Sequence, residues 1–530
     1  MKKYFLLLVA GMLFFMPFAH SQVVYHHVSN QGIYDFLDEM ANNHVIDLFT
    51  GIKPYSRKLI ANKLAEVNGK RDLLNTRQKK ELDFYLRDFC KELPQSLNIK
   101  KRIDTFSYRD SLFTFTINPI AGLNFYSNES GTNYHRWWGA EAYGYVGSHW
   151  GVYASLRDNY EKERISMPGM LNQRVGAAYK DHEYSEMRGG ITYSNKWLSV
   201  AMIKDHFEWG TNYNGANIFS PKPPSFATIS VQARPVKWFE FNYIHGWMVS
   251  GLVDSLRTYT FNSAYAQTTR EVYHNKFMVA NMFTFKPWGK LNLSIGNSAM
   301  YSDVGFNPAY IIPVFFYKSL DHTYAEGNYG GQNAQMFFDM SCRLIKHLHI
   351  YSTIFVDEIA ISRMWNKEDH SNFVSIKAGG ALSDFPLKNV SLIAEYTRTN
   401  PLVYQHIIPT TNFNSNGFNL GHYLRDNSDE IYLSLVVKPW RTLRAQISYT
   451  NARKGKDYNS IGGTRLGLPF MDEVVWDSES ILLKTQFQII NDAWLNLACE
   501  FSDIEGPSDY TPQFYLGKNT TFHVGFNYGF

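Results

Sequence analysis

The chain has 530 residues, of which 16% are aromatic and 19% charged, with a formal net charge of +4. That balance excludes a disordered chain and a polycationic nucleic-acid binder. The three cysteines, Cys90, Cys342 and Cys499, are odd in number and far apart, which argues against a disulfide framework and against metal-ligand spacing.

The opening MKKYFLLLVAGMLFFMPFAHSQ places two lysines before an apolar run from Tyr4 to Phe18, followed by the small residues Ala19 and Ser21. It predicts a signal peptide over residues 1–21, cleaved after Ser21, and hence export. No cysteine follows the cleavage site, so no lipid anchor is expected there. No later apolar run reaches the length of about 18 residues that a membrane helix needs. An exported chain of this kind is either soluble or a membrane β-barrel, whose hydrophobicity is hidden because only alternate residues face lipid. His26 and His27 read as a mobile tail rather than a metal site.

Residues 22–104 read as a helical domain. IYDFLDEMANN spaces Ile33, Phe36, Leu37 and Met40 as one helical face. Ser56 is the expected N-cap of a second helix carrying Leu59, Ile60 and Leu64, and Thr76 that of a third carrying Leu82, Tyr85, Leu86, Phe89 and Leu93. Pro94 ends the bundle.

From about Leu112 the period becomes two, so residues 105–530 read as barrel. In NVSLIAEYT, Val390, Leu392, Ala394 and Tyr396 alternate with Ser391, Glu395 and Thr397. In TLRAQISYT, Leu443, Ala445, Ile447 and Tyr449 alternate with Arg444, Gln446 and Ser448. An apolar face backed by charged and amide side chains suits a lipid-facing wall around a wet interior. Tight connections are expected near Trp150, Trp197, Trp238, Trp288, Leu348, Leu387, Trp440 and Trp494. The intervals of roughly 40–60 residues each hold two strands of about ten residues and one longer loop. With both termini on the short-turn side, eight such turns predict about 18 strands. The phrase KPW occurs at two of the turns, and a Trp there suits the membrane interface. The fold class expected is therefore all-β, a transmembrane antiparallel barrel of about 18 strands with a small N-terminal helical bundle. TTFHVGFNYGF closes the chain with Phe522, Val524, Phe526, Tyr528 and Phe530 on one face, a terminal aromatic strand of the kind that barrel-insertion machinery reads.

Charges at inward positions, among them Arg157, Asp205, Asp339, Arg343, Asp357, Glu395 and Lys484, are expected to hold the lumen by salt bridges and hydrogen bonds. On the lipid face each would cost about 2–4 kcal/mol. The chain shows no His-Glu-x-x-His, Gly-x-Ser-x-Gly or Walker loop, so no enzyme and no cofactor is expected. Adjacent strand residues point apart, so Asp205 and His206 would diverge.

The leader, the segment IYDFLDEMANNHVIDLFTGIKPYSRKLIANKL, the segment LNTRQKKELDFYLRDF and the predicted barrel together resemble the capsule-assembly Wzi family, in particular its Bacteroidetes-type members. DHFEWGTNYNGANIFSPKPPSF (205–226) and NPAYIIPVFFYKSLDH (307–322) are similar to further family segments. The resemblance implies an outer-membrane barrel with a periplasm-side helical bundle and lectin-like attachment of capsular or exopolysaccharide.

Sugar binding needs flat apolar faces and fixed donors and acceptors. The predicted outer loops are rich in aromatics, Asn and Gly. The candidate glycan ligands there are Trp209, Tyr213, Tyr324, Tyr329, Trp365, Tyr404 and Tyr423, with Asp321, Glu326 and Arg425 as polar partners. The expected partners are surface polysaccharide, outer-membrane lipids and the insertion machinery through Phe530. A channel or exporter, or a docking scaffold for secretion or gliding machinery, are the competing expectations.

Overall fold

The computed structural model describes residues 22–49, 51–93, 97, 99–171, 182–262, 264, 266–303, 305–324, 332–458 and 466–530. The predicted signal peptide lies outside these residues. Three helices open the chain: α1 (Gln31–Asn42), α2 (Arg57–Gly69) and α3 (Thr76–Asp88). The strands of the wall then follow in order. The first six are β1 (Phe113–Asn128), β2 (Gly131–Val146), β3 (Trp150–Glu161), β4 (Glu183–Ser194), β5 (Leu198–Asp205) and β6 (Phe226–Val236). The next six are β7 (Phe239–Val253), β8 (Tyr273–Trp288), β9 (Leu291–Ser302), β10 (Asn333–Cys342), β11 (Leu348–Glu358) and β12 (Phe373–Ser383). The last six are β13 (Val390–Thr399), β14 (Ser428–Trp440), β15 (Leu443–Gly455), β16 (Val474–Ile490), β17 (Ala493–Glu505) and β18 (Gly517–Tyr528).

Each strand pairs antiparallel with the next, and β18 returns to β1 with Phe522 opposite Ser127 and Tyr528 opposite Ala121, closing an 18-stranded barrel. Closure leaves no unpaired edge. The alternation read from the sequence has a direct counterpart in burial. Leu392 and Tyr396 on β13 and Phe522, Val524 and Phe526 on β18 face outward and are exposed, whereas Glu395 on β13 faces inward and is buried. No described helix is long and apolar enough to cross a membrane. The outer surface is an apolar belt of the kind a bilayer covers.

Eight short connections at one end of the barrel lie where the sequence placed them. Two carry KPW, and at both the strand register slips by a bulge, between Phe285 and Trp288 on β8 and between Val437 and Trp440 on β14. Trp150, Trp197, Trp238, Trp288 and Trp440 are exposed around this rim. Trp494 differs. It faces inward, so close to Gly32 of α1 that a Cβ there would lie 3.2 Å from the indole.

The helical bundle has its own core, centred on Phe36, Leu37, Met40, Ile60, Leu64 and Leu82. Ser56 caps α2, its Oγ accepting from the Leu59 N–H at 3.1 Å. The cap of α3 is Asn75 rather than Thr76. Asn75 and Gln78 exchange side chain and backbone hydrogen bonds in a capping box, which Thr76, one position inside, cannot make. Two further expectations are corrected at the chain ends. His27 is buried, not a mobile tail, and His26 N donates to Tyr55 O at 2.9 Å. Phe530 does not continue the outward face of β18. Gly529 takes φ +81°, and Phe530 turns inward to stack on His27 at 4.3 Å.

Candidate functional site

The bundle closes the short-turn end of the barrel. Asn42 Nδ2 donates to Ser383 Oγ at 3.0 Å, and Arg77 Nε and Asn75 Nδ2 each donate to Asn389 Oδ1 at 3.0 Å. Arg102 binds Asp88, Asp104 and, at 2.6 Å, Asp492 in the turn between β16 and β17. The guanidinium of Arg441 lies 4.3 Å over the Phe84 ring. Deeper in, Asp38 meets Arg343, and Arg444 reaches Asp35 at 3.3 Å. Most of these contacts join the bundle to an inward residue or a short turn, and of the charges expected in the lumen Arg343 is paired here, with Asp38.

Two of the long connections fold into the lumen. In the segment between β5 and β6, Ile52 and Lys53 of the N-terminal domain pair in strand fashion with Trp209 and Glu208, and Lys53 Nζ is 2.6 Å from Glu208 Oε1. Thr211 N donates to Asp339 Oδ1 at 2.7 Å, and the N–H groups of Tyr213 and Asn214 donate to the Glu395 carboxylate at 2.7 and 2.8 Å. In the segment between β13 and β14, Tyr404 N donates to Asp357 Oδ2 at 2.7 Å and its hydroxyl to Asn217 O at 2.7 Å. Inward carboxylates thus anchor loop backbone. One side of the lumen is filled by packed apolar side chains, including Trp209, Phe219, Met282, Phe337, Tyr404 and Phe413.

This placement corrects the expected outer mouth. Trp209 and Tyr404 are buried in that packing and offer no face to a ligand from outside. Tyr213 is seated against Asp38 and His349 inside the barrel. Tyr423 is buried with its hydroxyl on Glu430. Arg425 Nη2 reaches Pro168 O at 3.5 Å, and its guanidinium lies 6.0 Å from the Tyr510 ring, in an outer loop. Trp365 is exposed in another. Asp321 and Tyr324 belong to a short helix, Tyr317–Tyr324, while Glu326 and Tyr329 lie outside the described residues.

Two of these residues, Tyr213 and Tyr423, border a cavity of about 470 Å³ on the other side of the lumen. Its floor is α1, through Gln31, Asp35 and Asp38. Its wall is the inward face of β13–β18, with Tyr432, Gln446, Ser448, Ser480, Lys484 and Glu500. Its roof is Met170, Leu171 and Trp476. The volume suits a small ligand or a few sugar rings. Lys484 makes no hydrogen bond or ion pair with any described residue, whereas Arg444 is held by Gln446 at 2.7 Å and Gln486 at 3.2 Å. The wall offers hydroxyls, the Gln446 amide, the Lys438 and Lys484 ammonium groups, the Arg444 guanidinium and the Glu500 carboxylate beside the Tyr432 and Trp476 rings, the set that sugar hydroxyls and C–H faces require. Sequence reasoning missed this wall. The signal was present in the small inward residues of neighbouring strands, Ser448, Thr450, Ser478 and Ser480, which leave a hollow where other strands carry Met, Phe or Tyr.

One cluster has metal-ligand composition. Ligand atoms of His27, Glu186 and His206 lie within 4.8 Å of one another. His206 Nδ1 faces the Pro223 carbonyl at 3.1 Å and therefore donates, while Nε2 is 2.6 Å from Glu186 Oε1, a spacing that holds a shared proton and leaves no room for an ion. His27 Nδ1 accepts from Ser29 N at 3.1 Å, so its proton sits on the inward-facing Nε2. The geometry is that of a hydrogen-bonded cluster. Asp205 diverges from His206 as expected, toward Arg188 at 3.0 Å and Tyr153 at 2.8 Å.

No family model matches the sequence, and no curated protein does. Among solved structures, Wzi of Escherichia coli, an outer-membrane protein involved in group 1 capsule assembly and described as a carbohydrate-binding β-barrel, is similar over 96% of this chain and 100% of its own. The TM-score is 0.58 and the identity 12%. OprD of Pseudomonas aeruginosa is similar over 78% of this chain and 94% of its own, at a TM-score of 0.41 and 8% identity. The likeness to Wzi is one of fold, and the chain has the architecture of a closed 18-stranded barrel of the outer-membrane type.

Proposed function

We propose that this protein sits in the outer membrane and retains or assembles capsular or exopolysaccharide at the cell surface by non-covalent binding. The observation that carries the reading is the cavity of about 470 Å³, walled by hydroxyl, amide and aromatic side chains and floored by the helical bundle. The fold shared with a barrel described as carbohydrate-binding supports it. The helical bundle lies on the periplasmic side, and the cavity lies beneath the outer loops, where Trp365 and Arg425 offer further contacts. The chain catalyses no reaction in this reading. Its residues bind and hold.

The test is surface polysaccharide in cells lacking the protein, with cell-attached and shed polymer measured separately. Polymer still made but shed is the expected result. Equal attached polymer in both strains overturns the reading for that glycan. Complementation refines it. Tyr432→Ala combined with Lys484→Ala is expected to lower retention at least tenfold while the barrel still runs as a folded, heat-modifiable band. Full retention by that variant removes the cavity from the binding surface.

A further inference from the structure

From Gly305 to Tyr317 the connection between β9 and β10 does not rise into solvent. It lies against the outside of the wall. On β8 the even positions face the lumen, where Met278 and Met282 join the interior packing. Phe277, Val279, Asn281 and Phe285 therefore face outward. Phe285 is exposed like the rest of the belt, yet Phe277, Val279 and Asn281 are buried. On β9 the same holds: Leu293 and Ile295 are exposed, Asn297, Ala299 and Tyr301 are buried.

The cover is the chain from Gly305 to Tyr317, running into the helix Tyr317–Tyr324. Tyr310 stacks on Tyr301 at 4.4 Å and accepts at its carbonyl from the Tyr243 hydroxyl at 2.9 Å. Asn281 Nδ2 donates to Pro313 O and Phe315 O, each at 2.9 Å. Asn297 Nδ2 donates to Asn281 Oδ1 at 2.6 Å, and Tyr317 N donates to Asn297 Oδ1 at 2.9 Å. Asn297 stands midway along a strand of 12 residues, so the contact lies well below the outer rim.

Two amides on the lipid face of a barrel, and a non-helical backbone beside them, would each cost several kcal/mol unpaired in hydrocarbon. Here each satisfies the other. The side of the segment turned away from the wall carries Ile311, Ile312, Val314, Phe315 and Phe316, all exposed, and no residue from Gly305 to Tyr317 is charged. That surface continues the belt formed by Phe285, Leu293 and Ile295.

We infer that residues 305–317 form a strap embedded in the hydrocarbon layer on the outside of the barrel, with Asn281 and Asn297 as its socket and lipid acyl chains as the partner of its exposed face. The inference rests on the membrane reading of the proposed function, and the test separates the two. Single cysteines are placed at Val314 in the strap, Leu293 in the belt and Leu256 in an outer turn, in a background where the native cysteines are serine. Each is then challenged with a membrane-impermeant maleimide on intact cells. Expected is labelling of Leu256→Cys and protection of both Val314→Cys and Leu293→Cys. Labelling of Val314→Cys at the rate of Leu256→Cys, with Leu293→Cys protected, overturns the strap alone. Labelling of all three overturns the membrane reading with it.

A photo-cross-linking residue at Phe316 is expected to give lipid adducts, and a protein adduct, whether to a second copy or another chain, overturns lipid as the partner. Asn281→Leu with Asn297→Leu keeps the wall lipid-compatible and so leaves the barrel folded. It is expected to speed labelling of Val314→Cys several-fold. An unchanged rate overturns the socket.

Discussion

Pro287 and Pro439 have no N–H to give a neighbouring strand, and each sits inside a register slip. The slip decides where the next side chain points. Even positions on β8 and β14 face the lumen, so an unbroken strand would turn Trp288 and Trp440 inward. The bulge turns both out to the rim. The repeated KPW was legible as a turn signal because Pro, Gly and Trp each act locally. Phe530 was not, because alternation alone extends the outward face through it. The break is one residue, Gly529 at φ +81°, beyond which Arg157 Nη1 donates to Phe530 O at 3.1 Å and the Arg188 guanidinium lies 5.3 Å over the ring. Phe530→Ala is therefore expected to destabilise the folded barrel by about 3–5 kcal/mol, the usual cost of removing a buried phenyl ring. The check is the melting temperature of purified, already inserted protein. A terminal residue used only during insertion would leave that temperature unchanged and lower the inserted yield instead.

Helix α1 shows how an element is fixed by charge. Glu39 is buried and paired with Arg77, at 3.4 Å from Lys438 of β14, and accepts from Gln78 at 2.7 Å. Burial raises its pKa, but Arg77 and Lys438 outweigh that and hold it down at about 2. A carboxyl whose folded value lies below its unfolded one contributes stability above the unfolded value and loses it as the pH falls through the folded one. The window is therefore about pH 4.5 down to 2, and the contribution is on the order of 3 kcal/mol. Acidification through that window is expected to loosen the bundle from the turns, read as hydrogen exchange in α1 and α3. Glu39→Gln is expected to exchange faster already at neutral pH and to change little across the window. The helices themselves were legible from apolar spacing. Their seat was not, because the partners of Asn42, Arg77 and Glu39 stand some 300 to 400 positions later in the chain.

At the scale of the whole molecule, 18 strands enclose a space wide enough for a channel, and what fills it decides between conduction and binding. The filling comes from three places in the chain: the bundle, the segment holding Trp209 and Phe219, and the segment holding Tyr404 and Phe413. A loop of aromatics, Asn and Gly reads the same in sequence whether it meets a ligand or packs a lumen. The difference lies in buried acceptors such as Asp339, Glu395 and Asp357, whose strands position them to receive loop N–H groups. The strap carried a clearer signal, an outer connection with no charge across Gly305–Tyr317. Closure in two layers makes a specific expectation for planar bilayers. The intact protein conducts little. Deleting residues 31–93 removes the floor but leaves Trp209, Phe219, Tyr404 and Phe413 packed on Phe337 and Phe355, so conductance rises only in part. Adding Trp209→Ala and Tyr404→Ala to that deletion loosens the second layer and is expected to raise it further. Full opening on deletion of the bundle alone would show that the inward loops do not hold without it, and the Ile52–Trp209 pairing would then be what keeps them in the lumen.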